Sequence, residues 1–217
     1  MAALKVKWES VDTIATKAKA VVTGEAEEGG APEVGEPTLR WQDKPILVYV
    51  CDDSTTCEDS EKFETIVLAD EKCALGVQAF RCVKMTPSQV DEDPILADHG
   101  KSVPRVLVVE PTKVKIKVLE TKDLKASKLF KSMKKVAGKF WKEKLDKVVK
   151  EHLGLLTEQD QLVNAAKTLA DKEKRYAEDK SKLKKVKAEQ KEIAEQLAEI
   201  RKQTVELWKL TRKTAKA

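Results

Sequence analysis

The sequence has no apolar run long enough to cross a bilayer, which takes about 20 residues. No apolar segment near the N-terminus marks a signal peptide either. Aromatic residues make up 5% of the 217 residues, and histidine occurs only twice. The four cysteines lie within apolar or helical patterns rather than in a loop-rich frame: Cys51, Cys57, Cys73 and Cys82. These features predict a cytoplasmic protein with reduced thiols and no membrane span.

Residue spacings that would hold a metal are also missing. Cys73 and Cys82 are nine residues apart in the sequence, whereas zinc ligands come in pairs about two to four residues apart. Ser54 and His99 lack the third partner that a hydrolase triad requires. We therefore expect no metal and no other cofactor, and the absence of a complete catalytic constellation favours a protein that is not an enzyme.

Charge, in contrast, is abundant and unevenly distributed. Charged residues make up 36% of the chain, with 12 basic against 21 acidic residues over 1–110 and 30 against 16 over 111–217. The segment 122–150 alone has eleven lysines, three acidic residues and no arginine. Because arginine is the residue suited to bidentate phosphate contacts, this pattern argues against a nucleic-acid partner. It is typical of a solvated face around a buried apolar stripe.

The apolar patterns of the first 150 residues predict an α/β architecture. The run at 46–51 reads as a buried strand, followed by a helix from Cys57 to Leu68. Further predicted elements are an edge strand at 4–8, a helix from Ser10 to Val22, a flexible acidic insertion at about 23–43, strands at 78–85, 105–109 and 114–118, and a loop at 87–93. Strands separated by helices favour a parallel core, to which the last hairpin adds an antiparallel edge.

Three segments of this strand and helix order carry recognisable motifs. They are Lys44-Pro45-Ile46-Leu47-Val48, Cys57 at the start of a helix, and Val103-Pro104-Arg105-Val106-Leu107-Val108. Together they resemble the thioredoxin-like superfamily over about residues 4–150, and Trp8 with Ala18-Lys19-Ala20 is similar to bacterial members. The resemblance implies a mixed sheet flanked by helices, a cis peptide at Val103–Pro104, and a redox corner formed by Cys57, Ser54 and Pro104.

The candidate corner departs from the family at its central motif. Ser54 stands where the attacking cysteine of a Cys-x-x-Cys motif would lie, and disulfide exchange needs both an attacking and a resolving thiol. The start of a helix favours a thiolate at Cys57, whereas Asp52, Asp53 and Glu58 disfavour a second anion. Cys57 is therefore either a packing residue or the thiol of a redox protein or redox sensor.

The C-terminal third carries a seven-residue repeat. A helix over 122–153 is expected to end at Gly154, and Thr157 can cap a second helix from Glu158 to about Thr214. With Leu162 at position a, ten of the fourteen a and d positions through Leu207 are apolar, which is typical of a coiled coil. The clearest oligomerisation positions are Leu183, Val186, Ile193, Leu197, Ile200 and Leu207. The partner of this stripe is another copy, a different protein, or the preceding helix folded back.

Two domains are thus predicted, a thioredoxin-like domain at 1–153 and a coiled-coil helix at 158–217. The favoured function is that of a non-catalytic scaffold or interaction protein. It assembles as a homo-oligomer, or docks onto a partner protein, through residues 158–217. The alternative is a thiol–disulfide redox protein that acts through Cys57.

Overall fold

A computed structural model describes residues 6–16, 37–52 and 57–213. The chain divides into two compact units. The first, here called the head, comprises Met1–Lys142 with Arg212–Ala217, and the second, here called the hairpin, comprises Glu143–Thr211. The division at Lys142 comes earlier in the chain than the predicted one at 153. None of the helices in the described ranges is long and apolar enough to cross a membrane.

The head is built on a five-stranded mixed sheet with the strand order β1-β3-β2-β4-β5. The strands are β1 Glu9–Ser10, β2 Ile46–Val50, β3 Arg81–Met85, β4 Arg105–Glu110 and β5 Lys115–Leu119. This sheet confirms the predicted α/β class. The expected parallel core is wrong for β4, which runs antiparallel to both β2 and β5. Residues 86–104 hold one short helix and a loop, so the chain re-enters the sheet from the end at which β3 leaves it.

Burial explains why the two central strands form. Every residue of β2 and β4 is buried. β2 and residues 106–109 of β4 are continuous apolar runs, and β4 has a charged residue at each end, Arg105 and Glu110. One face of the sheet presents Ile46, Val48 and Val50 to an apolar cluster that includes Val90 and Leu96. Burying each such side chain contributes about 2 kcal/mol.

The opposite face of β2 carries Tyr49, which is fully buried. Its ring centroid lies 4.8 Å from that of Phe63 and 5.4 Å from that of Trp8. Burial raises the pKa of the Tyr49 phenol, which therefore stays neutral. These three rings tie the central strand to the segment that follows the candidate redox corner.

The helices of the head are mostly short. They are α1 Glu58–Lys62, continued by a π-helical turn Phe63–Val67, then α2 Glu71–Gly76, α3 Pro87–Glu92 and α4 Ala126–Phe140. The predicted loop at 87–93 is wrong because α3 occupies most of it. Thr86 accepts from the Gln89 backbone, and the Gln89 side chain accepts from the Thr86 backbone, with proline at the first helical position. This capping box was a readable start signal in the sequence.

The lysine-rich helix α4 packs as the apolar pattern predicts. Leu129, Met133, Val136 and Phe140 are buried. Its lysines are exposed: Lys128, Lys131, Lys134, Lys135 and Lys139. The helix ends at Phe140 rather than at 153, because Trp141 adopts an extended backbone (φ −96°, ψ 148°).

The first residues of the head differ from the prediction. The edge strand is the two-residue β1 rather than 4–8, of which residues 4 and 5 lie outside the described ranges. The helix expected from Ser10 is wrong over 11–16, where Ala15 forms an antiparallel bridge with Leu39. The rest of that helix and most of the acidic insertion, residues 17–36, lie outside the described ranges. Leu39, near the end of the insertion, is buried in the core.

The hairpin consists of two long helices, α5 Leu145–Arg175 and α6 Lys180–Leu207. They run antiparallel, since Trp208 Nε1 donates to His152 Nδ1 at 2.9 Å and Gln190 Nε2 donates to Glu173 Oε2 at 2.9 Å. The single helix predicted from Glu158 is therefore wrong. The chain reverses over 176–179, where the Asp179 side chain caps α6 by accepting from the backbone N–H groups of Ser181 and Lys182.

The helix end predicted at Gly154 and the helix start predicted at Thr157 are both absent, since both residues lie inside α5. Gly154 lies inside α5, where an exposed glycine costs only about 1 kcal/mol relative to alanine. The Thr157 hydroxyl donates to the Leu153 carbonyl at 3.0 Å instead of capping a helix.

Candidate functional site

The candidate redox corner lies at one end of the sheet. Val50, the last residue of β2, pairs with Arg105, the first residue of β4. This register brings the segment that follows β2 next to the segment that precedes β4. The Val103–Pro104 peptide is cis, as the resemblance implied, and Pro104 is buried. The Cys51 backbone N–H donates to the Met85 carbonyl at 3.2 Å, which joins the end of β3 to the same corner.

Cys57 is the residue that precedes α1, and its side chain is half-buried. It makes no side-chain cap hydrogen bond, although the Glu61 backbone N–H donates to its carbonyl at 3.0 Å. The first turn that follows it contains Glu58, Asp59 and Glu61. Lys62, in the same short helix, lies 2.6 Å from Glu58 and is engaged by that carboxylate. Ser54, the third member of the predicted corner, lies outside the described residues.

The other three cysteines are not placed to react. Cys51, Cys73 and Cys82 are buried, and no disulfide joins any of the four cysteines, all of which lie in the described ranges. Burial raises the pKa of Cys73 and of Cys82 to about 12. Because the thiolate is the nucleophile, both side chains are inert at neutral pH. Cys57 is thus the accessible thiol of the head.

A buried polar cluster supports the corner, and the sequence interpretation missed it. Arg105 is 1% exposed, and its Nη1 donates to the Ser102 carbonyl at 3.0 Å. The Ser102 hydroxyl donates to Glu120, and Thr121 Oγ1 donates to the Pro104 carbonyl at 2.7 Å. Desolvation lowers the pKa of the Arg105 guanidinium. The cluster fastens the loop that contains the cis peptide to the end of β5, and the one hint in the sequence was an arginine opening an apolar run.

The two histidines belong to other elements of the chain. His99 is half-buried in the turn that follows α3, and its backbone N–H donates to the Leu96 carbonyl at 2.9 Å. His152 belongs to the hairpin. Over the described ranges, no group of three or more histidine, cysteine, aspartate or glutamate side chains is arranged to hold a metal ion.

The six positions predicted for oligomerisation all lie on α6. On α6 only Val186 and Ile200 are buried, at 5% and 4% exposure. The remaining four are half-buried: Leu183, Ile193, Leu197 and Leu207. All six recur on one face, with the alternating three- and four-residue spacing of a coiled-coil seam. Within this chain they pack against α5. Because only two helices pair, part of the seam stays open to solvent.

The register of this seam on α5 differs from the predicted one. Leu169 is buried, and Ala166, Glu173 and Tyr176 are half-buried, whereas the predicted seam residue Lys172 is exposed. Leu169 and Tyr176 keep their predicted a positions, whereas the predicted d position moves from Lys172 to Glu173.

Comparison with known proteins adds no relative. No protein-family model matches the chain, and neither the curated proteins nor the solved structures yielded a match.

Proposed function

We propose that this chain is a non-catalytic interaction protein, in which a thioredoxin-like head carries a helical hairpin that docks onto a partner protein. The observation that carries the proposal is the half-buried seam of the hairpin. Only Val186 and Ile200 among the α6 seam residues are fully covered. A third helix laid against the seam would bury the remaining apolar surface, at about 25 cal/mol for each Å² removed from water.

The thioredoxin-like assignment of the head is supported by the strand order β1-β3-β2-β4-β5 and by the cis peptide before Pro104. The lack of catalysis is supported by the burial of the thiols. Disulfide exchange needs a second thiol that resolves the mixed disulfide, and the three cysteines other than Cys57 are buried. The head then acts as a rigid block that carries the hairpin.

Sedimentation equilibrium of the full chain tests how the hairpin finds its partner. Since α5 and α6 already pair within one chain, we expect a monomer of 24.3 kDa over a wide concentration range. A dimer or larger species would instead favour the homo-oligomer.

A matched pair of variants shows whether any self-association uses the seam. Ile193→Asp places a charge on the half-buried seam, and Ala188→Asp places the same charge on the exposed side of α6 as its control. Self-association through the seam would be lost in the first variant and retained in the second.

The alternative function is thiol–disulfide exchange through Cys57, which the partial exposure of this thiol favours. The Cys57 thiolate would attack a disulfide of a partner protein, forming a mixed disulfide and releasing one partner thiolate. An external thiol would then have to release Cys57. Turnover of insulin disulfides with dithiothreitol, compared between the chain and Cys57→Ser, decides between the two functions. We expect equal background rates, and a rate that depends on Cys57 would overturn the non-catalytic assignment.

A further inference from the structure

Two depressions lined in part by apolar side chains lie along the hairpin, and together they are here called the groove. The first, of about 600 Å³, is lined in part by Leu155 of α5 and Leu207 of α6. The second, of about 400 Å³, is lined in part by Leu169 and Ile193. Leu155, Ile193 and Leu207 are half-buried whereas Leu169 is buried, so the apolar seam is partly open to solvent at three of these four positions.

Both depressions lie on the same side of the hairpin. Their α5 residues are 151, 154, 155 and 158 in the first and 165, 168, 169 and 172 in the second, so each position recurs after fourteen residues. On α6 the residues 189, 192 and 193 recur in the same way as 203, 206 and 207. Two heptads return a helical position to the same face. The groove therefore runs from residue 151 to residue 172, a length of about 32 Å at 1.5 Å per residue.

The rim of this groove is acidic although the C-terminal half of the chain is basic. Five glutamates and one lysine line it: Glu151, Glu158, Glu189, Glu192, Glu206 and Lys172. Glu151 and Glu206 have exposed lysine partners at the helix surface, Lys147 and Lys209. Glu158 and Glu189 are exposed, and no basic side chain of the described residues lies within ion-pair distance of either.

We propose that this groove binds a lysine- or arginine-rich amphipathic helix of a partner protein, which completes a three-helix bundle. The apolar stripe of the guest would cover the half-buried Leu155, Ile193 and Leu207, and its flanking cations would meet the glutamates of the rim. A guest helix of about 21 residues matches the length of the groove. The inference rests on the proposed docking function and adds the side of the hairpin and the chemistry of the partner.

A second copy of this chain fits the groove poorly. An isologous dimer would place two identical grooves face to face and would oppose like charges across the interface. The lysine-rich helix α4 cannot act as the guest either, because its apolar stripe, with Leu129 and Met133, is buried in the head.

Binding of a synthetic peptide to the full chain tests the proposal. The probe is a labelled 21-residue peptide, about the length of the groove, with leucine on one stripe and lysine on both flanks. A second peptide has glutamate at every lysine position. We expect saturable binding of the lysine peptide by fluorescence anisotropy, weakening with added salt, and at least tenfold weaker binding of the glutamate peptide.

Two matched variants locate the binding surface. Glu158→Lys with Glu189→Lys reverses two charges of the rim, and Asp160→Lys with Glu195→Lys makes the same charge change at exposed positions outside the groove. We expect about a tenfold loss of lysine-peptide affinity in the first and less than about a twofold change in the second. Equal losses in both would show attraction by net charge alone and would overturn the proposal.

A third variant blocks the groove without changing charge. Gly154 lines the first depression, and a Cβ added there meets no atom within 4 Å, so Gly154→Trp would place an indole at this part of the groove. We expect loss of peptide binding with an unchanged circular dichroism spectrum. Undiminished binding in this variant and in the rim variant would place docking on another face, overturning the groove while leaving the docking function. Failure of both peptides to bind, together with turnover that depends on Cys57, would reject the docking function itself.

Discussion

At the scale of single residues, Asp93 shows how one buried side chain joins distant segments of the head. It is 0% exposed, and its two carboxylate oxygens accept from Thr13 Oγ1 at 2.6 Å and from the backbone N–H groups of Ile14, Ile95 and Leu96 at 2.7 to 3.1 Å. These donors come from segments about 80 residues apart in the sequence. The carboxylate therefore joins the N-terminal segment to the loop that leads to the cis peptide.

Replacing Asp93 should lower the free energy of unfolding substantially. We expect Asp93→Ala to lower the free energy of unfolding by about 3 kcal/mol, because buried backbone donors lose their acceptor. The control is Asp98→Ala, an exposed position in the same loop, with a change below about 0.5 kcal/mol. Urea unfolding followed by circular dichroism measures both, and equal midpoints would contradict the role assigned to Asp93.

His152 plays a comparable part in the hairpin. It is 5% exposed, and its Nδ1 accepts from the Trp208 indole, which the neutral imidazole can do and the imidazolium cannot. Burial lowers the pKa of His152 below its ordinary value of 6.5. The pair links the first turns of α5 to the end of α6.

The pH dependence of the hairpin follows from this shift. Because the pKa is lower in the folded state, the unfolded chain takes up a proton first, and the stabilisation present above pH 6.5 is lost as the pH falls below it. We expect the indole N–H resonance of Trp208 to move as the pH falls below about 6.5, the ordinary histidine value, and His152→Gln to abolish that movement. His99→Gln is the control, and a loss of the movement in that variant instead would contradict the assignment.

At the scale of elements, the strands were easier to predict than the helix ends. The segments 46–50 and 106–109 are readily predicted as strands, because a short, fully apolar segment close to proline or aspartate is typical of a buried strand. The antiparallel direction of β4 was missed because it depends on the path of residues 86–104 rather than on the strand itself. On α6 the seven-residue repeat identified the inward face, from Leu183 to Leu207.

The sequence gives little sign of the reversal between α5 and α6. Residues 176–179 contain neither glycine nor proline, so the usual stop signals are absent. The signal that was present is Asp179, a polar residue at a predicted seam position, which serves as the cap of α6. In the candidate corner, the cis peptide at Pro104 that the family resemblance implied is present, and Cys57 directly precedes α1 as expected. It could not identify the Arg105 cluster, because that cluster depends on contacts between distant segments.

Gly154 and Gly100 differ in how well their positions would accept a larger side chain. Gly154 lies inside α5 with open space around it, whereas Gly100 has φ +78° and an added Cβ would lie 2.6 Å from Glu120 Oε1. We expect Gly154→Ala to raise the free energy of unfolding by about 0.8 kcal/mol and Gly100→Ala to lower it by about 2 kcal/mol. Urea midpoints measure both. A stabilising Gly100→Ala would show that the backbone at this turn is not constrained as described.

At the scale of the whole molecule, the two units contain different chemistry. The head places one accessible thiol beside carboxylates and buries the other three. The hairpin leaves an apolar seam half-covered and borders it with glutamates. Recognition by the hairpin, rather than reaction at Cys57, is therefore the function that we propose for this protein.

Hydrogen exchange of the full chain tests that function most directly, measured by mass spectrometry with and without the leucine–lysine peptide. Binding in the groove predicts slower exchange of backbone amides over 151–172 and 189–207. The segments around Cys57 and Pro104 should exchange at unchanged rates. Protection confined to those two segments of the head, with none in the hairpin, would contradict the proposal.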